Sequence, residues 1–375
     1  MPTDVYQRLA RHLDRLPAGF PATETGVELR ILRRLFTEDE AELALALTVI
    51  PEEPRVVARR AGLAPDEAAR RLEALARRGL AFSLGRPGQK ARYTASQFVI
   101  GLWEYHVNAL DEDLIRDVNE YIPRFFDAEV WRRAPQLRTV PVHRSIAVDN
   151  AVLPHEQAEQ IVRSQKRILV APCICRREHR LAGHGCDRPE EACLIFGAAA
   201  AYYERNGLGR VIDADEAVDI LRRADEAGLV LQPSNAQNPV NICCCCGCCC
   251  QVLKNLGRHR RPADVVSSAF TAALDAEACV GCGVCEDRCQ MAALTVADGA
   301  ARLDPARCIG CGLCVSTCPA EALTLVRKPE ARQPRVPRTV TDAALELGRA
   351  RGTLTPARLA WIGLRSKLDR LLARR

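Results

Sequence analysis

The sequence predicts a multidomain chain of mixed α+β and α/β class, and three observations carry that expectation. A four-cysteine motif occurs twice between Cys279 and Pro319, the copies standing 29 residues apart. A helix-turn-helix pattern followed by a hairpin pattern lies near the N-terminus. Between the two, from Pro141 to Gly257, short apolar strands alternate with helical segments, and a second set of cysteines gathers there. At 375 residues the chain has room for two to four domains of ~100–200 residues each.

Residues 1–23 form a short polar leader with Pro17 and Pro21. Val27 to Phe36 and Asp39 to Leu47 then carry apolar residues at helical spacing. Pro54 to Ala61, the turn Gly62-Leu63-Ala64 and Pro65 to Arg78 make the helix-turn-helix pattern. Pro65 sits at a helix start, Asp66 and Glu67 occupy the first turn, and Gly79 closes the helix. Leu80 to Leu84, a turn over Gly85-Arg86-Pro87-Gly88, and Gln89 to Thr94 predict a β-hairpin. Residues 24–95 thus resemble a winged-helix domain. Arg70, Arg71, Arg77 and Arg78 on its would-be recognition helix, with Arg86, Lys90 and Arg92 on the wing, would suit DNA. Glu67 and Glu73 share that helix and Glu38, Asp39, Glu40, Glu42, Glu52 and Glu53 flank it, so a protein-docking or scaffold module is the preferred expectation. Residues 96–140 read as a helical connector whose Trp103, Tyr105, Tyr121, Phe125, Phe126 and Trp131 serve packing.

Residues 141–260 form the cysteine-rich α/β region. Ile146 to Val148 and Arg167 to Ala171 are expected strands around a helix from Pro154 to Gln165. The second strand runs into Ala171-Pro172-Cys173-Ile174-Cys175-Arg176-Arg177 and then a loop with Cys186 and Cys193. Asp213 and Glu216 cap a helix ending near Ala227, Leu229 to Leu231 is another strand, and seven cysteines crowd into 243–250. Free cysteines rarely accumulate for packing alone, so further metal is expected here. Cys173, Cys175, Cys186 and Cys193 suffice for one additional cluster; alternatively the 243–250 run supplies some of its ligands, although neighbours on an extended chain point opposite ways. A non-cubane cluster on the Cys-Cys-Gly run and a reactive patch without metal are the remaining readings. His179 and His184 lie nearby, more plausibly as solvated histidines than as ligands, and Arg176, Arg177 and Arg180 could offset cluster charge.

The repeat, within residues 270–328, carries the strongest chemistry. Each copy reads Cys-x2-Cys-x2-Cys-x3-Cys: Cys279, Cys282, Cys285, Cys289 and Cys308, Cys311, Cys314, Cys318. Three closely spaced thiolates wrap three corners of a [4Fe–4S] cube and the fourth reaches the partner cluster. Two clusters are therefore expected, one on Cys279, Cys282, Cys285 and Cys318, the other on Cys308, Cys311, Cys314 and Cys289. From Asp275 to Val326 the segment resembles the bacterial two-cluster ferredoxins, which implies a small α/β fold that shuttles single electrons at low potential. Cys318 is followed by that family's proline, Pro319, whereas Cys289 is followed by Gln290. The whole chain is similar to larger dicluster-ferredoxin proteins that join a winged helix, a Cys-Ile-Cys-Arg segment and a Cys-Cys-Gly-Cys-Cys-Cys segment to such a domain, which implies iron–sulfur electron transfer and nothing narrower.

Nineteen cysteines without a secretory signal point to reduced thiols and a cytoplasmic chain, not a disulfide framework. No apolar stretch approaches the ~18–20 residues that span a bilayer. The net charge of +6 belongs to the tail, since Arg327 to Arg375 alone holds 13 basic against 4 acidic residues. Residues 329–375 are accordingly expected to be a basic, partly helical tail, solubilising or else in peripheral contact with an anionic membrane. Phosphate-loop, nucleophile-elbow and zinc-protease motifs are missing, so the expected role is an electron carrier serving a redox partner protein rather than a stand-alone catalyst. The alternatives are a redox-responsive regulator that binds DNA, and an oxidoreductase subunit with a further cluster in the middle region.

Overall fold

The computed structural model describes residues 4–85, 90–142, 145 and 152–373. They fall into two compact units, Met1–Phe125 with Ala201–Leu208 and Ala344–Arg375, and Phe126–Ala200 with Gly209–Ala343. The expected strand over 146–148 and most of the expected turn over 85–88, with Arg86, lie outside the described residues.

The first unit opens with α1 (Val5–Asp14), a helix that buries Tyr6, Leu9 and Leu13 where a polar leader was expected, then α2 (Val27–Leu35) and α3 (Glu38–Leu45), the last held by a reciprocal cap between Thr37 and Glu40. Next come α4 (Pro54–Ala61), α5 (Pro65–Arg77) and an antiparallel pair, β1 (Ala81–Leu84) and β2 (Arg92–Ala95). Proline starts both helices, and Gly62 ends α4 in the left-handed region at φ 68°. The short α6 (Trp103–Tyr105) and α7 (Glu112–Phe125) complete this stretch. Tyr121 and Phe125 of α7 pack with Phe20 and Phe98, ring centroids 4.9–6.1 Å apart, so these aromatics are core.

The second unit contains α8 (Ala128–Arg133), α9 (Ala158–Arg163), β3 (Ile168–Pro172), α10 (Ile174–Leu181) and β4 (Glu191–Phe196). After α11 (Gly197–Arg205), whose residues from Ala201 onward belong to the first unit, come β5 (Arg210–Ile212), α12 (Ala214–Glu226), β6 (Val230–Pro233), β7 (Asn241–Cys245) and α13 (Gln251–Gly257). Five strands form one sheet in the order β5-β3-β4-β7-β6. Every neighbouring pair in it is antiparallel. The alternation of strands and helices predicted an α/β region; the sheet makes it α+β. A connection the length of a helix permits a crossover but does not impose one. The chain turns helical directly after Cys173, Cys193 of the expected loop lies in β4, and the cysteine run begins as a strand. Asp213 accepts from the Glu216 N–H at 2.8 Å and caps α12 as its sequence suggests.

The same unit continues through β8 (Phe270–Leu274), α14 (Val284–Arg288), β9 (Leu294–Ala297), β10 (Ala300–Leu303) and β11 (Leu323–Arg327). β8 pairs with β11 and β9 with β10, both antiparallel. Arg288 ties this part to the C-terminus of α12, donating to Asp225 Oδ1 at 2.9 Å and to the Glu226 carbonyl at 2.9 Å.

The tail forms α15 (Val340–Ala350) and α16 (Pro356–Leu372), and its last helix packs in the first unit. Ser366 donates to Glu52 Oε1 at 2.6 Å, and Asp369 accepts from Arg60 Nε at 2.7 Å. Arg60, 5% exposed, also pairs with Glu52. Sequence composition alone suggested a solvated tail because two buried polar residues among so many arginines leave no apolar signature. Asp369→Ala is expected to cost about 1–3 kcal/mol by leaving buried donors of Arg60 short of a partner. Hydrogen exchange should register it as faster exchange across α16.

Candidate metal centres

β8 delivers the chain into the first cysteine loop, and the β9–β10 hairpin delivers it into the second. Gly281 (φ 64°) and Gly310 (φ 69°) hold matching positions in the two loops. A Cβ on Gly281 would stand 2.2 Å from the Gly299 carbonyl oxygen, and one on Gly310 2.2 Å from that of Phe270. Both the backbone conformation and the close approach demand glycine, which is why the glycines repeat with the cysteines.

The loops enclose two cavities. One is lined by Cys279, Cys282, Cys285 and Cys318 among apolar neighbours such as Leu274, Val296 and Leu323. The other is lined by Cys289, Cys308, Cys311 and Cys314 with Met291, Leu294 and Leu325. Each cavity therefore draws three thiols from its own loop and one from the other repeat. Matching backbone donors face the sulfurs: Ala301 N–H to Cys279 Sγ at 3.3 Å, Ala272 N–H to Cys308 Sγ at 3.3 Å, and Ala293 N–H to Cys289 Sγ at 3.1 Å. The Ala301 and Gly281 amides hold the Cys279 thiol below its ordinary pKa. Burial instead pushes Cys314 up to about 12 and Cys311 well above its ordinary value. In the first cavity Cys282 is exposed and Cys285 buried, whereas in the second Cys308 and Cys314 are buried and neither Cys289 nor Cys311 is exposed. Four converging thiols, apolar walls and N–H donors aimed at sulfur fit a cubane iron–sulfur group in each cavity.

Ten of the eleven middle cysteines, all but Cys244, sort into two further groups. Cys186, Cys246, Cys248 and Cys249 place their sulfurs within 4.8 Å of one another. Burial opposes ionisation of Cys186, but the Arg188 backbone N–H and the contacts with Cys249, Cys248 and Cys246 outweigh it and bring that thiol down to about 7. The second group is a chain of thiol contacts: Cys173 to Cys175, Cys175 to Cys250, Cys250 to Cys245, Cys245 to Cys243, and Cys243 to Cys193. Cys173, Cys250 and Cys243 are held below the ordinary thiol pKa by hydrogen bonds from neighbouring thiols, while those same bonds push Cys175 and Cys245 up. Strand register builds this group, since Cys193 of β4 stands opposite Cys243 of β7, and Cys243 and Cys245 share one face of β7. The sequence-derived set Cys173, Cys175, Cys186 and Cys193 is therefore divided: Cys186 joins the 246–249 run, and the other three join Cys243, Cys245 and Cys250. The loop holding Cys186 follows α10, which carries it away from Cys173 and Cys175.

Arg176, 1% exposed, reaches both groups. Its Nη1 and Nη2 donate to the Cys244 carbonyl at 3.0 and 3.1 Å, and Nη1 to Cys246 Sγ at 3.7 Å. Burial disfavours its charge, yet Cys173, Cys246 and Cys245 favour it and raise its pKa. Arg188 donates to Cys248 Sγ at 3.3 Å. Arg177 and Arg180 are instead paired with Glu190. His179 lies buried on α10, one ring nitrogen on the Cys175 carbonyl at 2.9 Å and the other against Lys254 Nζ at 3.0 Å; His184 sits on the Ala182 carbonyl.

Gln290, in the place of the ferredoxin proline, accepts from the Gly247 N–H at 2.6 Å. A Cβ on Gly247 would lie 2.8 Å from the Gln290 carbonyl oxygen. The departure thus seats the middle cysteine loop against the residue that follows Cys289, a contact that proline, having no side-chain acceptor, could not make.

Residues 272–331 match the 4Fe-4S dicluster domain family. No curated protein and no solved structure matches the chain. The chain therefore carries an iron–sulfur cluster-binding domain with ferredoxin-like character, set in a larger protein of mixed helix and strand. No helix among the described residues is long and apolar enough to cross a membrane.

Proposed function

We propose that this chain is an iron–sulfur electron-transfer protein whose two [4Fe–4S] clusters relay single electrons to or from a partner oxidoreductase in the cytoplasm. The observation that carries the reading is the pair of cavities, each lined by three thiols of one loop and a fourth from the other repeat. Cys279, Cys282, Cys285 and Cys318 would hold one cluster and Cys308, Cys311, Cys314 and Cys289 the other. Such clusters supply reversible one-electron storage. The protein's own part is to bury the sulfurs, to aim the Ala301, Ala272 and Ala293 amides at them, and to seat Gly247 beside Cys289 through Gln290. A further iron–sulfur site on the chain of Cys173, Cys175, Cys193, Cys243, Cys245 and Cys250 would extend that relay.

The elements α4, α5, β1 and β2 suit a winged helix used as a scaffold rather than as a DNA reader. Arg71 and Arg77 pair with Glu67 and Glu73 on α5 itself, and Arg78 with Glu40, so three of the four helix arginines expected to read DNA already face carboxylates. α16 exposes Trp361, Leu364, Leu368 and Leu371 at helical spacing beside Arg365 and Lys367, which supports peripheral contact with an anionic membrane surface.

The exposure of Cys282 gives a direct test. An iron chelator added anaerobically to the oxidised chain is expected to strip about four irons rapidly, from the site with exposed Cys282, and the next four slowly. Release of all iron in one phase, or about eight irons with no matching sulfide, would count against two unlike clusters.

A further inference from the structure

The cysteine tetrad differs from the two cavities in scale. Cys186 and Cys246 sulfurs are 3.9 Å apart, Cys249 and Cys186 3.7 Å, and Cys249 and Cys248 3.8 Å, with all four inside 4.8 Å. Four sulfurs at the ~2.3 Å bond length of a tetrahedral metal–thiolate site stand about 3.8 Å from one another. The terminal sulfurs of a cubane, each on its own iron at a corner, stand roughly 6 Å apart. The spacing of the tetrad matches the first figure and is too small for the second.

We propose that Cys186, Cys246, Cys248 and Cys249 bind a single tetrahedral divalent metal ion, zinc or ferrous iron, at a site separate from any cluster. Four thiolates around a divalent ion carry a net charge of −2. Two guanidinium groups meet that charge: Arg176 on Cys246 Sγ at 3.7 Å and Arg188 on Cys248 Sγ at 3.3 Å. Arg176 is buried and its other acceptor is the uncharged Cys244 carbonyl, so thiolate charge is what makes its burial tolerable. The site leaves no open coordination position, the arrangement of structural four-thiolate centres. Its mechanical effect follows from where the ligands lie. Cys186 belongs to the loop between α10 and β4, and the other three follow β7, so the ion ties two irregular segments together. Gly247 lies within the tied segment, and through it the ion fixes the contact with Gln290 beside Cys289.

The test counts zinc, iron and acid-labile sulfide in the full chain, anaerobically purified, as wild type and as the double variant Cys186→Ser with Cys248→Ser. The variant is expected to lose one zinc, or one iron without sulfide, while the remaining iron and all sulfide stay at wild-type levels. The metal that disappears distinguishes the two ions. Loss of iron together with equal sulfide, or no change in metal, would overturn the proposal. X-ray absorption of the wild type covers the case in which the variant fails to fold. A zinc edge with four sulfurs near ~2.3 Å and no iron neighbour is expected. If zinc is absent, iron in excess of sulfide by one per chain supports the ferrous form; absence of both sinks the site.

Discussion

Cys318→Ala is expected to empty the first cavity, removing about four irons and four sulfides per chain, although Cys318 belongs to the second repeat. Cys318 lines the cavity of Cys279, Cys282 and Cys285, whereas Cys289, from the first repeat, lines that of Cys308, Cys311 and Cys314. The two substitutions should therefore have crossed effects. Iron left in Cys318→Ala should be the slowly chelated fraction held among buried Cys308 and Cys314, and iron left in Cys289→Ala the rapidly chelated fraction near exposed Cys282. Uncrossed loss, with each variant losing the cluster of its own repeat, would refute the shared ligation.

The second large effect concerns Arg176. Replacing it with methionine keeps much of the volume and removes the charge. Cys246 Sγ and the Cys244 carbonyl then lose their donor, and the buried thiolates lose their nearest counter-charge. Breaking a buried charge interaction by removing one partner costs about 3–5 kcal/mol. The variant is expected to melt earlier and to lose metal from the middle cysteines while keeping that of the dicluster domain. Arg176→Lys, which retains charge but not the fork of donors, should recover part of both. Full metal content and unchanged melting in Arg176→Met would show that these sulfurs need no such cation.

The contrast between the two cysteine populations explains what could be seen in the sequence. The cysteines of the dicluster domain lie mostly within one loop each, so their spacing is set by the local reach of the chain, and the duplication brings out the fourth cysteine of each set. Gly281 and Gly310 are legible for the same reason, as each serves a turn that the motif itself encodes. The middle groups depend on tertiary pairing. Cys193 meets Cys243 only because β4 and β7 pair in that register, and Cys186 reaches Cys246 only because α10 reverses the chain before it. Nor could alternating strands and helices reveal an antiparallel sheet, because connections of that length allow either direction. Gln290 was visible as a missing proline, but its use as an acceptor for Gly247 required the fold. In the first unit α4 and α5 were legible down to their starts, since Pro54 and Pro65 are local signals, whereas α1 lay hidden in residues that read as a polar leader. The placement of α16 was not, because it rests on Asp369 and Ser366 finding Arg60 and Glu52 more than three hundred residues away in sequence.

The most direct measurement is a paired count of iron and acid-labile sulfide in the wild type and in a variant carrying Cys279→Ser, Cys282→Ser, Cys308→Ser and Cys311→Ser together, with EPR of both after full reduction. Two cubanes on these residues require a difference of about eight irons and eight sulfides per chain, with loss of the reduced-cluster signals that belong to them. A difference of about four, or metal lost without sulfide, would contradict the two-cluster relay.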